Sequence, residues 1–244
     1  TLLLMLALLR HLLPVAHILR EQGDGMEKLA RVFTQYRGAE LWEKTVGLVG
    51  LGVGTLAAYG KPGDYFRFYE IDDDVVRLAR DYFSFLPQCA ATVEVVTGDA
   101  RLSLEREPAQ QFDVLVLDAF SGDAIPVHLL TAEAFAVYLR HLRGDGVIAA
   151  HISSRYVDLV PVVTALARHF ELEDAFLPWP DGDHGVNWAD EMGLSVTPSQ
   201  WMLLTRNRPL LERSPIREAV RSIPVQRPLS LWTDQYNNLL EILR

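Results

Sequence analysis

Residues 46–72 contain three glycines and an acidic side chain at fixed spacing between two apolar runs. The first run ends at Gly50-Leu-Gly52-Val-Gly54, and the second ends at Glu70. Glycines let the backbone approach a ligand at a strand-to-helix turn. A carboxylate about twenty positions further on can accept hydrogen bonds from ribose hydroxyls. We therefore predict that Gly50, Gly52, Gly54 and Glu70 bind a nucleoside, and the alternative is a tight turn that only packs.

The spacing of these glycines distinguishes between nucleoside ligands. A dinucleotide fingerprint, G-x-G-x-x-G, would need a glycine at position 55, where this chain has Thr55. The observed pattern, G-x-G-x-G, is typical of S-adenosyl ligands. We predict an S-adenosyl co-substrate and no prosthetic group, and we expect no metal because no His, Asp or Glu cluster has ligand spacing.

Further polar residues close the predicted strands. Asp99 follows one strand, Asp118 ends the apolar run VLVLD with Asp123 on the next loop, and His151 closes a fifth strand. Ligands of open parallel sheets lie beyond the carboxyl ends of the strands, so these side chains should share one site with the glycines. The alternatives are that Asp99 caps a helix and that His151 is structural. His128 and His141 are interpreted as surface or helix-packing residues.

Strand-like and helix-like segments alternate from residue 45 onward. The predicted strands are 46–50, 65–71, 93–97, 112–118, 146–152, 172–177 and 200–205. The predicted helical segments are 54–60, 73–84, 100–107, 131–142 and 157–169. Strands separated by helices of this length imply right-handed crossovers and a parallel sheet. The pattern predicts an α/β fold with a Rossmann-like, seven-strand sheet of the S-adenosylmethionine-dependent methyltransferase type, whose last strand returns antiparallel.

The first 44 residues have a different pattern. They predict a helical segment, 1–44, with helices at about 2–19 and 26–44, ahead of the α/β domain, 45–244. The apolar start, TLLLMLALL, is interrupted by Arg10 and His11, and a spanning helix needs about twenty apolar residues. We expect a packed or oligomer-forming helix in a cytoplasmic homodimer. The alternative is membrane association through residues 1–19.

Composition limits the partners. The net charge of −9 leaves no basic stripe to replace phosphate counterions, which argues against nucleic acid. Cys89 is the only cysteine, so an internal disulfide and a metal-thiolate cluster are both excluded.

Several longer motifs of the chain resemble a known family. DVLVLDAFSGDAIPVHLLTAEAFAVYLRHLRGDGVIAAHIS looks like the spermidine synthase-like proteins (polyamine aminopropyltransferases), especially the bacterial branch often fused to membrane transporter segments. VGLVGLGVGTLAAYG, FYEID, TGDAR and LWTDQYNNLL agree with that branch, and the resemblance covers about 45–244.

The resemblance implies a role for each matching residue. Glu70 would hold the ribose, and Asp99 and Ala100 would meet the adenine. Asp118 falls on the catalytic aspartate of the family, and Asp123 resembles a second acid that binds the amine. The implied reaction moves an aminopropyl group from decarboxylated S-adenosylmethionine to a diamine such as putrescine, a polyamine substrate. His151 is predicted to face that substrate on a separate ground, because it closes the fifth strand.

Two departures keep other functions open. The β-rich N-terminal lid of spermidine synthases is replaced here by residues 1–44, and Val53 stands where the family's glycine loop has an acid. The alternatives are a small-molecule methyltransferase that uses the same nucleoside site and a non-catalytic nucleoside-binding domain.

Overall fold

The fold is seen in a computed structural model, which describes residues 43–119, 126–178, 199–214, 216–223 and 229–244. The predicted N-terminal helices, Asp123 and most of the connection before the last strand lie outside these residues. The strands are β1 (Thr45–Val49), β2 (Tyr65–Glu70), β3 (Thr92–Thr97), β4 (Phe112–Leu117), β5 (Leu142–His151), β6 (Glu173–Leu177) and β7 (Trp201–Thr205).

These strands form one seven-stranded sheet in the order β3-β2-β1-β4-β5-β7-β6. The pairs among the first five strands are parallel, and β7 is antiparallel to both of its neighbours. The strand order reverses between β1 and β4, and a crevice forms at such a switch point beyond the carboxyl ends of the strands.

Helices cover both faces of the sheet. The α-helices are α1 (Asp73–Tyr82), α2 (Ala100–Arg106), α3 (Ala132–His141), α4 (Val160–His169), α5 (Arg208–Leu211) and α6 (Ile216–Ala219). The described residues also form three 3₁₀ helices, Thr55–Tyr59, Val127–Leu129 and Leu239–Ile242. Helices α2, α3 and α4 pack on the face that carries Leu115 and Leu117, whereas α1 and α6 pack on the face of Val114 and Val116. Strand β4 is therefore buried on both sides, as its unbroken apolar sequence indicates.

Side-chain caps fix the starts of the helices next to the crevice. Asp72 accepts from the Asp74 N–H at α1, and Asp99 accepts from the Leu102 N–H at α2. Thr131 does the same for the Ala134 N–H at α3. Each cap satisfies one of the unpaired N–H groups of a first helical turn, so these loops enter their helices at a defined angle.

The predicted fold is confirmed, including the antiparallel last strand. Strand β5 begins at Leu142 and not at the predicted residue 146, because Leu142 pairs with Phe112 across a register shift. The predicted segment 54–60 is a short 3₁₀ helix. Within the described ranges no helix is long and apolar enough to cross a membrane, and residues 1–19 are not among them.

Candidate functional site

A cavity of about 300 Å³ opens at the switch point of the sheet. Its walls come from the ends of four parallel strands and from the segment that carries the second 3₁₀ helix. The residues that line it are Val49, Gly50, Gly52, Tyr69, Glu70, Ile71, Val75, Gly98, Asp99, Ala100, Asp118, Ala119, Pro126, His128 and Leu129. The volume is at the lower end of the range for small-molecule sites.

The glycine loop forms one wall of the cavity. Gly50 has φ +98°, and a Cβ added there would lie 2.5 Å from the carbonyl oxygen of Asp118. Gly52 has φ +53° and no atom within 4 Å of an added Cβ. Gly54, with φ +79°, lies outside the lining, and a Cβ added there would lie 2.9 Å from Cγ of Leu86. Gly50 thus lets β1 and β4 approach each other, whereas Gly52 leaves open space at the cavity.

Glu70 is held rigidly at the end of β2. The Leu51 N–H donates to its Oε2 at 2.9 Å, and the Asp72 N–H donates to its Oε1 at 3.1 Å. Each carboxylate oxygen has two lone pairs, so both oxygens can still accept from a ligand. Glu70 therefore joins the glycine loop to the start of α1 and presents acceptors to the cavity.

Asp99 has two structural partners and also lines the cavity. Its Oδ1 caps α2, and its Oδ2 lies 2.9 Å from Nε2 of His128. Ala100, the first residue of α2, is buried beside it. The capping alternative and the site prediction for Asp99 are thus both compatible with this position. His128, interpreted from the sequence as a surface or helix-packing residue, is half-exposed and lines the cavity.

Asp118 faces the cavity directly after β4, and His151 lies behind it. Nδ1 of His151 is 2.7 Å from Oδ1 of Asp118, and its Nε2 is 2.8 Å from Oγ of Ser153. The ring stacks on Trp201 with centroids 4.7 Å apart. His151 is not among the described residues that line the cavity, so it contacts the site through Asp118.

A buried polar group supports the β2 wall. Tyr69 donates to Glu107 at 2.8 Å, and Arg67 donates to the same carboxylate at 2.7 Å. Burial raises the pKa of the Tyr69 phenol far above its ordinary value, and the Glu107 hydrogen bond raises it further. Tyr69 is therefore neutral at physiological pH and acts as a fixed donor below the cavity.

The charge of the cavity is one-sided. Three lining residues are acids, namely Glu70, Asp99 and Asp118, and none of the described lining residues is Lys or Arg. Such a lining favours a ligand that carries positive charge. In the part of the chain that the structure describes, no group of His, Cys, Asp or Glu could hold a metal ion.

The structure brings most predicted site residues to one cavity. Gly50, Gly52, Glu70, Asp99, Ala100 and Asp118 all line it. Sequence reasoning missed the apolar wall formed by Ile71 and Val75. Ile71 stands between two acids in the loop after β2, and an apolar residue directly after a predicted ribose ligand was a signal in the sequence itself.

The strand order, with the antiparallel β7 and a crevice at the switch point, defines the class: a Rossmann-like α/β domain with a methyltransferase-type sheet. No protein-family model matches the chain. A solved structure of a probable spermidine synthase from Corynebacterium glutamicum has the same fold, with a TM-score of 0.51 and 23% identity. The similarity covers 72% of this chain and 60% of that one.

The relatives that are similar in sequence include two transferases. The polyamine aminopropyltransferase of Vibrio vulnificus is 36% identical over 111 residues, which are 45% of this chain and 36% of that protein. The N-terminal histidine N-methyltransferase of Emericella nidulans is 31% identical over 130 residues, 48% of this chain and 23% of that protein. The chain thus spans about a third or less of the length of these curated relatives. The resemblance to the spermidine synthase-like family is confirmed.

Proposed function

We propose that the chain is an aminopropyltransferase of the spermidine synthase type. It would move the aminopropyl group of decarboxylated S-adenosylmethionine to a diamine such as putrescine. The observation that carries this proposal is the cavity lining, in which three acids meet at the switch point and no Lys or Arg occurs among the described residues.

The nucleoside would lie across the ends of β1, β2 and β3. In this arrangement the two ribose hydroxyls donate to Glu70, whose carboxylate is already fixed by two backbone N–H groups. Ile71 and Val75 supply an apolar wall for the base, and Asp99 with Ala100 lies at the far end. A pre-ordered carboxylate of this kind binds without losing side-chain entropy, which favours tight nucleoside binding.

The acids would also select the form of the donor. S-adenosylmethionine carries a carboxylate that its decarboxylated form lacks. Burying that carboxylate without a cationic partner costs several kcal/mol. Because the described lining offers Asp118 and no Lys or Arg, the bare ammonium of the decarboxylated form fits this site better.

Asp118 would act in the chemical step. The amine nitrogen attacks the carbon beside the sulfonium, the C–N bond forms, and the C–S bond breaks with its electron pair going to sulfur. The products are the aminopropylated amine and methylthioadenosine, and the proton lost from nitrogen goes to the Asp118 carboxylate. An amine attacks only when it is unprotonated, so a carboxylate in hydrogen-bond reach assists the reaction. By the resemblance, Asp123 would hold the distal ammonium of the diamine.

Methyl transfer is the second candidate, and the similarity to an N-methyltransferase favours it. It would use the same nucleoside position but keep the ligand's carboxylate. This candidate therefore requires a cationic or N–H partner for that carboxylate close to Gly52 and Asp118.

A titration with both donors distinguishes these functions. We expect decarboxylated S-adenosylmethionine to bind more tightly than S-adenosylmethionine. Mass spectrometry of reactions with a diamine mixture should then show aminopropylated product and methylthioadenosine. Tighter binding of the carboxylated form together with methylated product would establish the methyltransferase instead. Binding of both donors without any product would indicate a nucleoside-binding domain.

A further inference from the structure

A continuous line of hydrogen bonds runs from Asp118 into the protein. His151 Nδ1 lies 2.7 Å from Asp118 Oδ1, and His151 Nε2 lies 2.8 Å from Ser153 Oγ. The Gln200 N–H donates to the same hydroxyl oxygen at 2.6 Å. Gln200 immediately precedes β7, and the Ile152 N–H in turn donates to its carbonyl at 2.9 Å. The far end of the line is therefore fixed to the sheet.

The chemistry of the three groups assigns the hydrogens along this line. An ionised carboxylate only accepts, so the short contact with Asp118 requires a proton on Nδ1 of His151. A neutral imidazole with that proton has an acceptor at Nε2. The hydroxyl of Ser153 can fill this role, because its oxygen accepts from Gln200 and its own hydrogen is left to donate to Nε2. Ser153 thus favours the tautomer that donates to Asp118.

The surroundings of His151 hold the ring in place but do not expose it to the cavity. Its side chain is 19% exposed, and its ring is nearly parallel to that of Trp201, with 12° between the planes. Trp201 is itself buried, and its indole N–H donates to Ser199 at 3.0 Å. His151 is outside the described lining, whereas Asp118 is inside it. Among the described residues, the imidazole therefore meets this cavity through the Asp118 carboxylate.

We infer that His151 is a positioning residue for Asp118, with Ser153 setting its tautomer. The Nδ1–H group holds Oδ1, which fixes the carboxylate plane and leaves Oδ2 to take the proton of the attacking amine. The inference rests on the proposed aminopropyl transfer. The sequence predicted that His151 contacts the substrate. In the present inference the imidazole instead acts on the Asp118 carboxylate and not on the amine.

The test uses substitutions of His151 that separate its Nδ1–H donor from the packing of its ring on Trp201. His151→Phe keeps a ring over Trp201 but has no donor. His151→Asn loses the ring but places an amide N–H near the position of Nδ1, whereas His151→Gln places it near Nε2, toward Ser153. Misplacement of a reacting group by about 1 Å costs roughly 100-fold in rate. We therefore expect kcat to fall by about 10- to 100-fold in His151→Phe and His151→Gln, and by less than about 5-fold in His151→Asn.

The measurement follows kcat and nucleoside binding separately. The dissociation constant of methylthioadenosine should change by less than about 2-fold in all three variants, since His151 is not among the described residues that line the cavity. If His151→Phe retained full kcat while His151→Asn lost it, the ring would serve packing alone and the inference would be overturned. If His151→Phe does not fold, the other two variants decide: a larger loss of kcat in His151→Gln than in His151→Asn supports the inference, and an equal or smaller loss overturns it.

A spectroscopic arm does not depend on turnover. Nitrogen-15 NMR of the wild-type protein should show the His151 proton on Nδ1, and Ser153→Ala should reduce the population of that tautomer. A proton on Nε2 in the wild type would overturn the inference even in an active enzyme. A wild-type protein that binds nucleoside but forms no aminopropylated product would refute the proposed function, and the catalytic role of His151 with it.

Discussion

Replacing Glu70 by Gln tests the nucleoside site at the residue with the best-defined geometry. The two carboxylate oxygens accept from the Leu51 and Asp72 N–H groups at 2.9 and 3.1 Å. Gln has one acceptor oxygen, so one of these N–H groups would face an NH₂ donor. A ribose hydroxyl would meet the same NH₂ group instead of a charged acceptor. The substitution therefore affects the ligand and the loop at the same point.

The expected magnitude follows from the number of hydrogen bonds lost. A hydrogen bond to a charged group contributes roughly 1.5–3 kcal/mol. Losing one of them should weaken binding by roughly 10- to 150-fold in Glu70→Gln. Losing both in Glu70→Ala should weaken it by roughly 10²- to 10⁴-fold.

Calorimetry with methylthioadenosine is the assay, because this probe carries no net charge and responds little to distant electrostatics. Asp73→Asn is the matched control: it makes the same change of charge three residues further on, at an exposed position outside the cavity lining. We expect the control to change affinity by less than about 2-fold, as is usual for exposed sites. Unchanged affinity in folded Glu70→Gln, or an equal loss in Asp73→Asn, would refute the assignment of Glu70 to the ribose.

Three further predictions concern the proton acceptor Asp118, the glycine loop and the C-terminal segment. Asp118→Asn should lower kcat by about 10²–10⁴-fold with nucleoside binding kept, and full turnover would contradict its role. Both glycines have positive φ, so an alanine is strained at either position, but only at Gly50 does the added Cβ also meet the Asp118 carbonyl. Gly50→Ala should therefore destabilise the fold more than Gly52→Ala, which should mainly weaken nucleoside affinity; thermal unfolding and calorimetry check this pair. The hydrogen bond from Arg101 lowers the pKa of Asp234 in the folded protein. The ionised Asp234 carboxylate therefore stabilises the fold above about pH 4, the ordinary pKa of an aspartate, and this stabilisation is lost as the pH falls further. Unfolding of wild type and Asp234→Asn should therefore differ at pH 6 and converge near about pH 2, and a constant difference would refute the linkage.

The sheet could be predicted from the sequence because its strands are buried on both faces. Val114 to Leu117 form an apolar run without alternation, and the structure places neighbouring residues of β4 in opposite cores. The start of β5 was harder to find, because Gly144 and Gly146 interrupt the apolar pattern. There the strand is fixed by pairing with β4 across a register shift, a tertiary effect that local periodicity does not contain.

The shared position of the site residues could be predicted from one rule, since the carboxyl ends of parallel strands meet at one edge of the sheet. Glu70, Asp99 and Asp118 reach one cavity for this reason. The contact of His128 with Asp99 could not be predicted in the same way, because it depends on the path of the segment before α3. That path is set by turns and caps, such as the hydrogen bond from Leu129 N–H to Pro126, and has no periodic signature.

The C-terminal motif LWTDQYNNLL helps to fix the segment before α3, which carries His128, although the two are far apart in sequence. Asp234 accepts two hydrogen bonds from the Arg101 guanidinium and a third from Thr131 at 2.8 Å. The same guanidinium donates to the carbonyl of His128 at 3.0 Å. A planar donor with several N–H groups can hold both partners at once, which a lysine could not do with the same geometry. The C-terminal segment thus braces the loop that brings His128 to Asp99, and a motif whose own sequence indicates no chemistry acts on the cavity through a single arginine.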